Sequence, residues 1–283
     1  VKIPDFSFRR DEIGDLSMAM RDMTESLWDR LDAIERFAAD VSHELKNPLT
    51  SLRSAVETAA MIKDPEKFER LMPIILQDVT RLDRLITDIS NASRLDAEMS
   101  RADGRRLSIT EMLHRFKYNF DMTRNEFAPK IEVHVPKDDG LHVLGLESRL
   151  GQVLANLVGN AASFSKAGDT LRLIADRGDK RRIIIMVEDE GPGLPAGKED
   201  EIFSRFFTDR PEEQGFGNHS GLGLAICKQI IEAHRGSIIG ESMTNERGQV
   251  TGARFTIVLP PYRAWVKEDQ TSAPVVDPDE TLE

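Results

Sequence analysis

The chain has 283 residues, 40% of them hydrophobic and 31% charged, which fits a soluble globular protein of two modest domains. Its net charge of -11 argues against a nucleic-acid footprint and against docking on an anionic membrane surface. The single cysteine, Cys227, excludes an internal disulfide and a thiolate metal cluster and suits a reducing compartment. No run of 18 apolar residues occurs, so no membrane-spanning helix is expected. The N-terminal Val1-Lys2-Ile3-Pro4-Asp5 does not read as a natural start, and a fragment of a longer polypeptide is expected.

Residues 1–10 read as irregular. From Asp11, apolar residues recur at three- and four-residue steps through Ile13, Leu16, Met20, Met23, Leu27, Leu31, Ile34, Ala38 and Val41. That spacing predicts one very long helix over 11–62 that packs against partner helices. Pro48 lacks a backbone donor and crowds the preceding turn, so a kink is expected there. Val41, Leu45, Leu49, Leu52 and Val56 are predicted to share one apolar face. Pro65 reads as the first position of a second helix reaching about Met99. Leu71, Ile75, Leu82, Leu85, Ile89 and Ala92 form its stripe, with Asp78, Arg81, Asp83, Arg84 and Asp88 on the solvent side. A hairpin of two such stripes cannot bury both faces alone, so a symmetric dimer forming a four-helix bundle is expected. Docking of the hairpin onto the C-terminal domain is the alternative.

After a polar linker at 100–105 the pattern becomes mixed α/β. A short strand at 107–109 is followed by a helix that Thr110 caps and that runs to about 127. Further strands are expected at 131–135, 170–176, 182–188, 237–239 and 253–259, and helices at 147–164 and 221–234. Residues 191–220, rich in Gly, Pro and charge, form a long loop of the kind that is usually functional. The tail from 261 is acidic and polar and is expected to be disordered. Cys227 lies in an apolar helical pattern and reads as a buried structural thiol.

Five short motifs carry chemistry. His43 lies off the apolar stripe, with Glu44 beside it and Asn47 one turn on, so all three can act near one atom. Asn156 and Asn160, at i and i+4, place two amides on one helical face; an amide oxygen is a hard donor suited to Mg²⁺ shared with phosphates. Asp189-Glu190-Gly191-Pro192-Gly193 puts a carboxylate at a strand end, followed by glycines that let backbone approach a ligand. Glu201-Ile202-Phe203-Ser204-Arg205-Phe206-Phe207 lies within the long loop. Ser220-Gly221-Leu222-Gly223-Leu224 opens a helix, where free N–H groups favour phosphate. Each motif alone is weak, but their order and their placement on these elements are specific.

Together they resemble the cytoplasmic half of a bacterial two-component sensor histidine kinase, over about residues 8–260. Residues 42–49 resemble the H box, 156–160 the N box, 189–193 the G1 box, 201–207 the F box and 220–224 the G2 box. Asp11-Glu12-Ile13-Gly14 resembles the second helix of a HAMP linker, and the nearest subgroup is the ChvG/ExoS-type kinases. The resemblance implies four parts. They are a HAMP remnant and signalling helix (1–32), a dimerisation and phosphotransfer hairpin (33–100), an α/β-sandwich ATP-binding domain (106–260) and a disordered tail (261–283).

It further implies that His43 is phosphorylated from ATP and passes the phosphoryl to an aspartate of a response regulator. Glu44 would be the base, and Asn47 would serve the reverse, phosphatase reaction. Asp189 would accept from the adenine amino group, Asn160 would hold Mg²⁺, and Asn156 would help with metal and phosphates. Gly191 and Gly193 would border the nucleotide, while Ser220, Gly221, Leu222, Gly223 and Leu224 would meet the phosphates. The lid is expected at 194–220, with Phe203, Phe206 and Phe207 as anchors and Arg210 toward the triphosphate. Two departures stand out: Ser163 replaces a basic residue of the N box, for which Lys166 or Arg210 could substitute, and His219 replaces the first G2 glycine. The partners implied are a second copy of the chain and a receiver domain, with the membrane reached only through a preceding segment. Rival readings are an ATPase of the same superfamily, which would lack the His-Glu hairpin, and a scaffold without catalysis. His219, beside the G2 glycines, is the one competitor to His43 as phosphoacceptor.

Overall fold

The structure is a computed structural model describing residues 11–61, 64–99, 104–124, 128–137, 140–207 and 221–263. The expected tail beyond 263 and the expected lid residues Arg210, His219 and Ser220 lie outside them. The chain divides into two units, Val1–Leu85 and Ile86–Glu283.

Helix α1 (Glu12–Met61) runs through Pro48 without a break in its helical assignment. Asp11 caps it, its carboxylate accepting from the Gly14 N–H at 3.2 Å, and Glu12 and Asp15 add negative charge to the first turn. Helix α2 (Pro65–Met99) begins at the expected proline. Asp64 caps it, accepting from the Glu66 N–H at 3.1 Å. Glu44 and Arg81 sit about equally far from the turn and meet across it, as an antiparallel hairpin requires.

The hairpin by itself covers only part of the expected stripe. On α1 the hairpin covers Pro48 and Ala55 and half-covers Val41, Glu44, Leu45 and Leu52. Leu49 and Val56, assigned to that stripe by spacing, are 52% and 51% exposed. The helix therefore carries two apolar stripes, and its own hairpin partner takes one of them. On α2 the inward face includes Asp78, Arg81 and Asp88 beside Leu71, Ile75, Leu82 and Leu85, while Leu76 and Val79 are exposed. Those three charged residues were expected on the solvent side and are instead half-buried; Arg81 is drawn inward by its ion pair with Glu44 of α1. Along the N-terminal half of α1 the heptad residues Ile13, Leu16, Met20, Met23, Leu27, Leu31 and Ile34 are all exposed.

The second unit is a helix-covered sheet. Strand β1 (Arg105–Ser108) pairs antiparallel with β3 (His142–Gly145). The main sheet has the order β2-β4-β5-β7-β6. It is built from β2 (Lys130–His134), β4 (Thr170–Arg177), β5 (Ile183–Glu188), β6 (Ser237–Thr244) and β7 (Val250–Leu259). β2 runs parallel to β4 and the other pairs are antiparallel. Leu171, Leu173 and Ala175 of β4, Ile183, Ile185 and Val187 of β5, and Ala253, Phe255, Ile257 and Leu259 of β7 form the buried face. Over it pack α3 (Ile109–Thr123), α4 (Glu147–Phe164) and α5 (Gly223–Ala233), through Leu113, Val153, Leu157, Ala161, Ile226 and Ile230.

Several expectations need correction. Ser108, not Thr110, caps α3, accepting from the Glu111 N–H at 3.2 Å, a Ser-x-x-Glu start. The Thr110 hydroxyl is buried without a partner. Helix α3 ends at Thr123, short of the expected 127. Strand β3 was not expected. Strands β6 and β7 are longer than expected because their polar ends still pair, across a register shift at Met243/Thr244.

Candidate functional site

The His-Glu helix places its residues as their spacing demands. His43 and Asn47 are exposed, while Glu44 turns half-inward, its Oε2 3.5 Å from Arg81 Nη2 of α2. The imidazole thus faces outward beside a carboxylate anchored from the second helix. Sequence periodicity missed Arg81, since its partner lies across the hairpin.

In the second unit Asp189 follows directly on β5. Its residue is 4% exposed, and Oδ1 accepts from the backbone N–H of Gly191 at 2.8 Å and of Ala253 at 3.0 Å. Both donors fall on one oxygen, leaving Oδ2 to meet a donor from elsewhere. Burial pushes the carboxyl above its ordinary range, the Ala253 and Gly191 N–H groups oppose that rise, and the Asp169 charge adds to it. Gly252 makes the seat possible: its φ is +156°, and a Cβ there would lie 1.8 Å from the Asp189 carbonyl oxygen. Neither Gly252 nor Ala253 was singled out in the sequence, although a glycine inside a strand is a signal of close backbone approach. Gly191 borders the carboxylate, and Gly193 takes the left-handed turn after it.

Asn156 and Asn160 lie on one face of α4, both partly exposed. Asn156 Nδ2 donates to the Gly223 carbonyl at 3.1 Å, so α4 and the first turn of α5 are tied together. Its amide oxygen is the end left for a ligand. The Asn160 carbonyl accepts from Ser163 Oγ at 2.5 Å; Lys166 is exposed. Gly221 has φ +70°, and a Cβ there would sit 2.7 Å from Phe206 Cα. Its carbonyl accepts from the Phe206 N–H at 2.9 Å. The glycine at 221 is therefore required by backbone crowding as well as by conformation. Leu222 is buried, so only its backbone can serve a ligand, whereas Gly223 and Leu224 are partly exposed at the helix start.

Phe203 is buried and packs edge-on against Phe255 at 6.3 Å, anchoring the loop to β7. Phe207 is half-buried under Lys198, 5.7 Å from its ring. Cys227 is fully buried and its thiol is pushed up to about 12 by desolvation, an inert group as expected. His234 is also buried. Its Nε2 accepts from the Leu146 N–H at 3.1 Å, and its Nδ1 meets the Ile230 carbonyl at 2.7 Å. It closes the start of α4 against the end of α5. Burial holds its pKa below the ordinary value, against the opposing Ile230 hydrogen bond.

The described residues thus bring Asn156, Asn160, Gly221, Gly223 and Leu224 together along α4 and α5, and seat Asp189, Gly191 and Gly193 at the end of β5. His43, Glu44 and Asn47 lie in the other unit. No group of three or more His, Cys, Asp or Glu able to hold a metal occurs among the described residues, and no helix among them is long and apolar enough to cross a membrane.

Residues 33–98 match the His Kinase A (phospho-acceptor) domain family. Residues 145–263 match the histidine kinase-, DNA gyrase B- and HSP90-like ATPases, which makes this an ATP-binding domain. Sensor protein ChvG of Rhizobium meliloti (strain 1021) is 48% identical over 264 residues, covering 92% of this chain and 46% of its own. Sensor protein ChvG of Agrobacterium fabrum (strain C58) is 50% identical over 268 residues, covering 92% and 44%. The chain spans about half the length of these curated relatives. Among solved structures, the Acinetobacter baumannii histidine kinase AdeS superposes with a TM-score of 0.56 at 25% identity, over 77% of this chain and 96% of that one. Histidine kinase ThkA, solved in complex with response regulator protein TrrA, has the same fold at a TM-score of 0.63 and 23% identity, over 87% and 67%. With a phospho-acceptor hairpin and an ATP-binding sandwich in one chain, and with sensor proteins as its relatives over nearly all its length, the protein belongs to the sensor histidine kinases.

Proposed function

We propose that this chain is the cytoplasmic portion of a bacterial inner-membrane kinase that phosphorylates His43 from ATP, transfers the phosphoryl to a response-regulator aspartate, and dephosphorylates that regulator. The exposed His43 beside the anchored Glu44 carries the reading. A neutral imidazole nitrogen attacks the γ-phosphorus; an N–P bond forms, the bond to the β–γ bridging oxygen breaks, and ADP leaves with the electron pair. The imidazole N–H proton passes to Glu44. Asn47, exposed one turn on, orients water for the phosphatase step.

Asp189 receives the adenine amino group on its remaining oxygen, with Gly191 and Gly193 shaping that wall. The backbone N–H groups of Gly221, Gly223 and Leu224, at the start of α5, face the phosphates. Phosphoryl transfer asks mainly for positioning and charge neutralisation. The donor set fits Mg²⁺: amide oxygens of Asn160 and Asn156, hard and uncharged, complement phosphate oxygens better than they would form an all-protein cage. When bound, the metal neutralises phosphate charge. Arg210 and Ser220 belong to the proposed lid.

The exposed Leu49, Val56, Leu76 and Val79 support a second copy of the chain completing a four-helix bundle, with the exposed heptads of α1 continuing the pairing. The test is incorporation of label from γ-labelled ATP. The parent gains acid-labile, base-stable phosphate, and His43→Gln gains none while binding ATP normally. Label retained on His43→Gln and lost in His219→Gln would transfer the role to His219.

A further inference from the structure

Among the described residues Arg81 pairs with Glu44 from across the hairpin, its side chain 18% exposed and that of Glu44 26% exposed. Its Nη2 stands 3.5 Å from Glu44 Oε2, an ion-pair distance longer than a good hydrogen bond. Its Nε is buried with no hydrogen-bond acceptor, and one turn earlier on the same face Asp78 Oδ2 is buried with no donor. An arginine kept inside a hairpin at the cost of an unsatisfied Nε calls for a reason beyond packing. A leucine at 81 would continue the Leu71, Ile75, Leu82 and Leu85 stripe without that cost. What the guanidinium adds is a fixed charge from α2 that holds one oxygen of the carboxylate next to His43.

We infer that Arg81 is a positioning residue for Glu44. It fixes the carboxylate by Oε2, so that Oε1 is the oxygen presented to the imidazole proton as the N–P bond forms. It acts through the carboxylate and not on the reacting atoms. The inference rests on the reading of Glu44 as the base. It also ties the chemistry to hairpin geometry, because any sliding of α1 against α2 moves the anchor of the carboxylate.

The experiment measures single-turnover autophosphorylation of the full chain at saturating ATP and Mg²⁺, and the ATP concentration giving half-maximal rate. The proteins are the parent, Arg81→Ala, Arg81→Lys, Glu44→Gln and the double variant Arg81→Ala/Glu44→Gln. Arg81→Ala is expected to slow the step by about 10–100-fold, a part of the roughly 10²–10⁴-fold that a positioned general base supplies, with the half-maximal concentration unchanged. Arg81→Lys recovers most of the rate. In the Glu44→Gln background, Arg81→Ala costs nothing further, because the group it positions is already disabled. A merely structural Arg81 would slow the Glu44→Gln protein as much as the parent. Multiplicative losses in the double variant, an Arg81→Ala protein at parental rate, or no recovery with lysine overturn the inference while leaving Glu44 as base. A Glu44→Gln protein at parental rate overturns the base reading itself, and this inference with it.

Discussion

Asp189→Asn separates the two roles proposed for this buried carboxylate. The substitution keeps Oδ1, which accepts from the Gly191 and Ala253 N–H groups at 2.8 and 3.0 Å, so the loop after β5 keeps its seat. It replaces Oδ2 by an amide nitrogen, a donor where the adenine amino group also donates. A hydrogen bond to a charged partner contributes about 1.5–3 kcal/mol, so ATP affinity is expected to fall about 10–150-fold. Stability should move the other way. Desolvation, the largest influence on this carboxyl, raises its pKa and disfavours the charged form, and the neutral amide escapes that cost. Titration calorimetry with Mg²⁺-ATP and thermal denaturation without nucleotide read the two effects. Asp189→Ala is the control: it strips the acceptor from two backbone N–H groups, each costing about 1–3 kcal/mol when unsatisfied. Its melting temperature should fall by roughly 2–4 °C per kcal/mol for a domain of this size. Unchanged ATP affinity in Asp189→Asn would refute the adenine assignment. A melting temperature falling as far as in Asp189→Ala would show that the charge itself holds the fold.

Three further outcomes are expected. Glu44→Ala should slow autophosphorylation and transfer, whereas Asn47→Ala should mainly impair dephosphorylation of the regulator; equal loss of both activities in each variant rejects that division. The double variant Leu49→Glu/Val56→Glu puts charge on the exposed stripe of α1, and sedimentation should show a monomer at tens of micromolar, by order of magnitude the range where a standard interface holds; a dimer that persists places the contact elsewhere. His234 has a lowered pKa, so its contribution is complete above the unfolded value of about 6.5 and is lost as the pH falls from there toward the folded value. Removing it in His234→Asn should flatten the melting temperature against pH in that window, and an identical slope in parent and variant would show that the buried ring is not what titrates.

How legible the fold was depended on whether an element's signal is local. Helix α4 falls at 147–164 as its periodicity requires, because seven buried residues repeat along its inner face. Strand β3 escaped because four residues between a glycine-containing turn and a helix cannot display a period. It exists through pairing with Arg105–Ser108, over thirty residues earlier. The stripe on α1 was read as one face because Leu49 and Val56 share the apolar spacing of Leu45 and Leu52. Spacing tells which residues avoid water, but not whether the same chain or another copy covers them.

The site divides along the same line. Each motif residue could be found because its chemistry is compressed into a few neighbours: the carboxylate and glycines at 189–193, the amides at 156 and 160, the glycines at 221 and 223. The residues that hold those groups in place lie far off in sequence. Ala253 and Gly252 seat Asp189 across the β5–β7 pairing, His234 satisfies Leu146 from the end of α5, and Arg81 meets Glu44 across the hairpin. A supporting group has no fixed spacing to the group it supports, since only the folded topology brings them together. It also need not look reactive: Gly252 acts by lacking a side chain, and His234 by staying neutral. The proposed reacting groups are therefore a sequence property, while their precision belongs to strand register and helix pairing. On the proposed reading, a substitution that shifts β7 by one residue, leaving every motif intact, is expected to weaken nucleotide binding as much as Asp189→Asn.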